Sequence, residues 1–246
     1  MNLVLIGSTA SFLAGLGSGV GALIVFCIRR VSDRFLDASL GFAAGVMLAA
    51  TCFCLFIPAI EAGGIWRTVL GILCGTGLFV CIEHLTPHME RIVGLGPSMH
   101  ESKVWLFVLA IALHNFPEGI AVGVGYGSGD IRAGSILAIG IWLQNIPEGL
   151  AVALPLMREK LTRTKAFWIT LLTGMIEPVG GILGISVTST ARSILPYGLA
   201  FAGGAMLLVI SEGVIPEAHS RGHHREATFG VIFGFTVMMV LENVFS

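Results

Sequence analysis

Long apolar stretches recur along the whole chain, and they constrain its fold more than any other feature. A membrane-spanning helix needs about 20 apolar residues in a row, with roughly 17 to 25 tolerated. Only 12% of the 246 residues are charged, whereas an ordinary soluble domain carries about 25%. We therefore predict an all-α membrane protein, with residues 1–246 forming a single polytopic domain that crosses the bilayer eight times. The predicted spans are Leu3–Ile28, Leu36–Ile60, Ile65–Ile82, Val104–Tyr126, Ala133–Leu156, Ala166–Thr188, Leu195–Ile215 and Ala227–Phe245.

The basic residues between these spans predict the orientation of the chain, because cytoplasmic loops carry an excess of Lys and Arg. The odd-numbered loops hold eleven basic residues, and the even-numbered loops hold only Arg67, Arg132 and Arg192. This difference predicts that both termini lie outside. The net charge is −1 and no basic run is present, so we expect no nucleic-acid partner.

The chain also repeats itself in opposite orientations. Residues 114–124 read HNFPEGIAVGV and residues 144–154 read QNIPEGLAVAL, with six identities in eleven positions. A weaker similarity links residues 41–48 in the second span to residues 200–207 in the seventh, and each segment is followed by Ile-Pro. The paired spans run antiparallel. Inverted repeats of this kind are typical of secondary transporters, in which the substrate site lies between the repeats near the bilayer midplane.

Five ionisable residues lie deep inside the predicted spans, although each costs about 2.5 to 3.5 kcal/mol at membrane depth on insertion scales. They are His114, Glu118, Glu148, Glu177 and Glu212. Four carboxylates in hydrocarbon need compensating charge, so we expect a cation in the site or passing through it. Polar neighbours accompany them, namely Asn115, Gln144, Asn145 and Ser211.

Spacing and prolines organise these polar residues. His114 lies four residues before Glu118, and Gln144 lies four before Glu148, so each pair shares one helix face. Three prolines, Pro117, Pro147 and Pro178, each lie directly beside a carboxylate residue. A proline inside a helix leaves the carbonyl four residues back without its donor and kinks the helix. Such carbonyls are tolerated at membrane depth where they line a cavity or coordinate an ion.

The ligand types indicate which cation is bound. Imidazole combined with carboxylate suits zinc and its first-row neighbours, whereas calcium and magnesium prefer sites made entirely of oxygen. Met47, in the second span at a comparable depth, is the best candidate for an additional thioether ligand, and Met206 is its partner in the repeat. For a single methionine, however, core packing is the more common role.

The motifs HNFPEG and QNIPEG in consecutive spans resemble the signature of the ZIP (Zrt/Irt-like) divalent metal transporters, and the chain is similar to bacterial members throughout. The resemblance implies a binuclear metal centre. Its first ion is expected on Met47, His114, Glu118, Gln144 and Glu148. Its second ion is expected on Asn115, Asn145 and Glu177 together with the shared carboxylates. Some members carry Asp where this chain has Asn145, so the second position has one negative ligand fewer.

The resemblance also implies the activity. We expect zinc, and less selectively cadmium, iron and manganese, to enter the cytoplasm through a site presented alternately to each side, with cadmium serving as a zinc surrogate. Helices two, three, seven and eight are expected to form a scaffold against which the others slide. A multi-pass protein of the bacterial inner membrane is expected, and the resemblance also allows a homodimer.

Residues at the cytoplasmic end are candidates for the metal exit route. Glu212, Glu217 and His219 follow one another along the seventh span and the loop after it. Six of the seven histidines fall in the two loops after spans three and seven, and as a set they are candidates to receive the leaving metal. They are His84, His88, His100, His219, His223 and His224.

Two other classes compete with the transporter interpretation. A carboxylate-lined channel, or a carrier of organic cations, would use similar residues, and saturation and zinc competition would separate it from a metal carrier. An intramembrane zinc protease needs two histidines in H-E-x-x-H and an open water position. Only one histidine lies within a predicted span, so we expect no enzymatic activity.

Overall fold

The computed structural model describes residues 3–27, 31–93, 99–158 and 160–245, and it omits the side chains of 83, 85–93, 99–107, 110, 158 and 192. Within the described residues every regular element is helical, and eight helices are long. In chain order they are α1 (Leu3–Cys27), α2 (Asp33–Gly63), α3 (Ile65–Val93), α4 (Met99–Gly127), α5 (Ile131–Arg158), α6 (Arg163–Thr190), α7 (Leu195–His219) and α8 (His224–Phe245).

The helices match the predicted spans in position. Over the part of the chain that the structure describes, seven of them are long and apolar enough to cross a membrane. The predicted fourth span lies within α4, a helix of 29 residues whose first side chains fall outside the described set. The prediction of an all-α, multi-pass membrane protein is confirmed. The count of eight spans and the outside location of both termini remain predictions.

The helices pack in pairs that have the symmetry of an inverted repeat. Extensive contacts join α2 to α8, α4 to α6, α1 to α5 and α3 to α7. In the repeat, α1, α2 and α3 correspond to α6, α7 and α8, and α4 corresponds to α5. The pair of α2 with α8 then corresponds to that of α7 with α3, and the pair of α4 with α6 corresponds to that of α5 with α1. Gly15 and Gly174 occupy equivalent positions and meet directly, because a Cβ on either would lie 2.3 Å from the carbonyl oxygen of the other.

Two helices contain π-helical turns at equivalent places in the repeat. Thr51–Phe56 interrupts α2, and Ile210–Val214 interrupts α7. Each turn is followed by the Ile-Pro pair, whose proline has no backbone N–H and cannot continue the α-helical ladder. The hydrogen bonds shift by one residue, so that the N–H of Ile57 donates to the carbonyl of Cys52. The prolines are visible in the sequence, but the sequence analysis did not predict these π-helical turns, which commonly lie at functional sites.

The prolines beside the predicted metal ligands act in two ways. Pro117 and Pro147 lie inside α4 and α5, which stay helical on both sides. In α6 the first helical segment ends at Gly174, and the second begins at Glu177. Glu177 is therefore the first residue of a helical segment in the middle of the span, which gives its carboxylate a favourable position at a helix N-terminus.

Candidate metal centre

Four helices supply the predicted ligands. α2 supplies Met47; α4 supplies His114, Asn115 and Glu118; α5 supplies Gln144, Asn145 and Glu148; and α6 supplies Glu177. All are fully or nearly fully buried except His114, which is partly exposed. The residues predicted from spacing to share a helix face therefore point into one interior region.

Amide side chains hold two of the carboxylates. The Nε2 of Gln144 donates to the Oε1 of Glu118 over 2.8 Å. The Nδ2 of Asn145 donates over 2.6 Å to the Oε1 of Glu177 and over 2.9 Å to the backbone carbonyl of Ala14. Both links join adjacent helices, and they fix one oxygen of each carboxylate while leaving the other free.

Every polar member of this set leaves a buried atom without a hydrogen-bond partner, although buried polar groups are normally paired in folded proteins. Seven of the eight predicted ligands carry such an atom, and nearly all of these atoms offer a lone pair. They are the Nδ1 of His114, both side-chain heteroatoms of Asn115, and oxygens of Glu118, Gln144, Asn145, Glu148 and Glu177. A collection of unpaired acceptors in an apolar interior is suited to binding a cation.

The glycines of the two Pro-Glu-Gly motifs let the surrounding helices approach closely. A Cβ on Gly119 would lie 2.0 Å from the backbone oxygen of Glu177, and one on Gly149 would lie 2.0 Å from that of Ser18. The ring of His114 packs against Gly213, where an added Cβ would lie 2.6 Å from its Cε1. These glycines therefore set the distances between α4 and α6, between α5 and α1, and between His114 and α7.

The described conformation does not bring all the predicted ligands together. Among the described residues, no three His, Cys, Asp or Glu side chains lie close enough to hold one metal ion. Met47 is fully buried in the main apolar core, as is Met206. Amides separate the carboxylates, so a shared ion would require rotation of these side chains.

A cavity of about 350 Å³ runs from this region towards the predicted cytoplasmic end. Its polar lining includes His114, Glu148, Glu212 and Glu217. Glu212 is exposed to this space, so the expectation that it is buried within the span is wrong. The reason is local, because the π-helical turn of α7 that holds Glu212 borders the cavity.

The remaining candidate for the exit route lies beside the cavity. The Nδ1 of His219 is 2.8 Å from the carbonyl of Ile215, and its ring stacks on His224 with centroids 5.7 Å apart. His219 does not line the cavity described above. Of the other predicted histidines, His84 is exposed, and the side chains of His88 and His100 lie outside the described residues.

The sequence analysis did not predict a charged cluster at the predicted cytoplasmic end. The side chain of Asp37, in α2, is fully buried, and it contacts Arg221 over 3.0 Å and His223 over 3.1 Å. Arg221 also pairs with Glu217. A lone Asp between the apolar residues Leu36 and Leu40 is a signal that could have directed attention to it, because an unpaired carboxylate would not be buried there.

Comparison with known proteins agrees with this geometry. The family model described as "ZIP Zinc transporter" matches residues 92–242. The chain is 42% identical to zinc transporter GufA of Myxococcus xanthus, covering 96% of this chain and 97% of that protein. It is 40% identical to zinc transporter ZIPB of Bordetella bronchiseptica, covering 97% and 80%, and 31% identical to zinc transporter ZIP11 of Homo sapiens, covering 96% and 98%.

The matched region includes both Pro-Glu-Gly motifs and the helices that carry all the polar candidate ligands. The full-length relatives extend the match over nearly the whole chain, including α1 to α3. Their common description is that of transporters, not enzymes. The chain therefore belongs to the ZIP family of zinc transporters.

Proposed function

We propose that the protein moves zinc into the cytoplasm of a bacterial cell across its inner membrane, as one transmembrane domain, through the metal centre between α4, α5 and α6. The observation that carries this proposal is the set of unpaired lone pairs on seven buried residues. Imidazole nitrogen and carboxylate oxygen are ligands that zinc accepts. Cadmium, iron and manganese share enough of this preference to compete for the site.

The first ion is proposed to bind between α4 and α5. His114 supplies its ring nitrogen, Glu118 and Glu148 supply their unpaired oxygens, and Gln144 supplies its amide oxygen. Met47 completes this set only if its side chain turns out of the core. Because the thioether and the amide are neutral, the ion is held loosely enough to leave again.

The second ion is proposed to bind on the Glu177 side, with oxygens of Asn115 and Asn145 as neutral ligands. The Nδ2 of Asn145 already donates to Glu177, and this hydrogen bond supplies part of the stabilisation that a second cation would give. The two positions of the binuclear centre in this chain therefore differ in zinc affinity, and the first position binds zinc more tightly than the second.

Alternating access is supported by how the helices divide into two groups. The four extensive helix pairs all lie within α1, α4, α5 and α6 or within α2, α3, α7 and α8. The cavity opens the centre towards the cytoplasmic end. Towards the predicted outer end, Ala50, Ala121 and Val122 are fully buried. These features support a state open to the cytoplasm, from which sliding of the first group would open the other side.

Zinc uptake by proteoliposomes tests the assignment. We expect His114→Ala and Glu148→Ala to abolish saturable uptake, because each removes a ligand of the first ion. Glu61→Ala is a matched control, since Glu61 is an exposed carboxylate at the outer end of α2. Equal uptake by all the variants and the wild type would refute the site. Uptake that rises linearly with zinc concentration, without saturation, would instead favour the channel.

Zinc affinity should fall on acidification, because protons compete with metal for the same nitrogen and oxygen atoms. The change is expected between about pH 8 and 5, where histidine normally titrates. Calorimetric titration of the purified protein with zinc at several pH values measures it. Affinity that does not vary with pH would contradict a site made of imidazole nitrogen and carboxylate oxygen.

A further inference from the structure

The charged cluster at the cytoplasmic end is the strongest polar arrangement outside the metal centre. Arg221 lies in the turn between α7 and α8, and its guanidinium bridges two carboxylates. The Nη1 is 3.0 Å from the Oδ1 of Asp37, and the Nη2 donates to the Oε1 of Glu217. The other oxygen of Asp37 is 3.1 Å from the Nδ1 of His223.

Burial makes this cluster stronger than an ordinary surface ion pair. The side chain of Asp37 is fully buried, and that of Arg221 is 16% exposed. Arg34 and Glu226 join α2 to α8 over 3.5 Å near the same end of the bundle, but their side chains are 73% and 38% exposed. Exposed pairs contribute little because water screens them, whereas a guanidinium held by two carboxylates in a partly dry site is firmly fixed.

The cluster lies at the mouth of the cavity that begins at the metal centre. Glu217 and its neighbours Pro216 and Ser220 line the cavity together with Glu148 and Glu212. An ion that leaves His114 and Glu148 by this route therefore passes Glu212 and then Glu217. The side chain that Glu217 contacts at this point is the cationic Arg221.

We propose that Arg221 is a tethered counter-cation that keeps Asp37 and Glu217 paired, so that zinc passes the mouth of the cavity without being retained there. This inference rests on the proposed direction of zinc transport. Without the guanidinium, two carboxylates and the nearby His223 would face the leaving ion with no compensating charge. Carboxylate and imidazole groups of this kind bind zinc, so release into the cytoplasm would become slow.

Removal of Arg221 should therefore have a specific kinetic signature. When the release step slows, the maximal rate and the half-saturation constant for zinc fall together. We expect Arg221→Gln to lower both several-fold in proteoliposome uptake. Arg34→Gln is the matched control, because it removes the same charge from an exposed ion pair, and it should leave both values unchanged.

A double variant separates charge from structure. Arg221→Gln combined with Glu217→Gln restores the net charge of the mouth, and we expect it to return the half-saturation constant towards the wild-type value. A merely structural role for Arg221 would lower the maximal rate by reducing the amount of folded protein, with no change in half-saturation. That outcome, or Arg221→Gln values equal to those of Arg34→Gln, would overturn the proposal.

Arg221→Lys carries the test if Arg221→Gln is not recovered from membranes. Lysine keeps the charge but has no planar fork to bridge two carboxylates, so a smaller shift in the same direction is expected. Unchanged kinetics in this variant would show that zinc release does not need the bridge to both carboxylates, which contradicts the proposal. Failure of the proposed function has a different signature, because the wild type itself would then show no saturable zinc uptake.

Discussion

Gly119→Ala is expected to lower zinc uptake by roughly tenfold or more, although it adds a single methyl group. The new Cβ would lie 2.0 Å from the backbone oxygen of Glu177 and 2.8 Å from its Cα. Backbone atoms cannot move aside as a flexible side chain can, so α4 and α6 must separate. Overpacking of this kind costs typically 1 to 3 kcal/mol, and a factor of ten corresponds to about 1.4 kcal/mol.

The displaced helix carries a predicted ligand, so the damage extends to the metal centre. Gly149→Ala should act in the same way on α5 and α1, because its Cβ would lie 2.0 Å from the backbone oxygen of Ser18. Gly77→Ala in α3 is the matched control, since a Cβ there meets no atom within 4 Å, and alanine favours helix over glycine. Uptake per amount of folded protein measures the effect, and equal uptake by Gly119→Ala and Gly77→Ala would contradict it.

Asn145→Asp is expected to add a second tightly bound zinc ion per chain. The substitution replaces the amide that donates to Glu177 with a carboxylate of the same shape, which places two acidic side chains within 2.6 Å. It also removes the hydrogen bond to the carbonyl of Ala14. Two carboxylates buried at this distance repel strongly unless a cation lies between them. Zinc then links residue 145 to Glu177, as the amide hydrogen bond does in the wild type.

The same substitution should make the metal-free protein less stable. Two buried carboxylates without a compensating cation strongly destabilise the fold, and added zinc should restore the stability that is lost. Zinc content by elemental analysis and the unfolding temperature with and without zinc measure the two effects. Asn243→Asp, which makes the same amide-to-carboxylate change at an exposed position of α8, is the control. An unchanged zinc content in Asn145→Asp would contradict the unequal binuclear centre.

The sequence predicted the membrane fold because its dominant signal is simple. Apolar stretches long enough to span a bilayer, separated by short loops, leave few alternatives to a helical bundle. The repeated N-x-P-E-G motif predicted which helices carry the centre, because a polar motif at membrane depth is expensive unless it has a function. The burial of Glu118, Glu148 and Glu177 agrees with that reasoning.

Other features depend on distances between helices, which a single sequence does not contain. The π-helical turns that begin at Thr51 and Ile210 each precede a proline, but a proline in a sequence does not by itself predict a π-helical turn. Glu212 was predicted to be buried from its neighbours in sequence, but a cavity makes it accessible. The bridge from Arg221 to Asp37 joins residues 184 positions apart, and charge patterns within one loop could not reveal it.

The central claim is that buried carboxylates beside helix interruptions hold a divalent cation. Diffraction from crystals soaked in zinc, recorded on both sides of the zinc absorption edge, tests it most directly. We expect an anomalous peak between α4 and α5, within bonding distance of His114, Glu118 and Glu148, and we expect Glu148→Ala to lose it. A map with no peak there, from crystals in which zinc is seen elsewhere, would contradict the account.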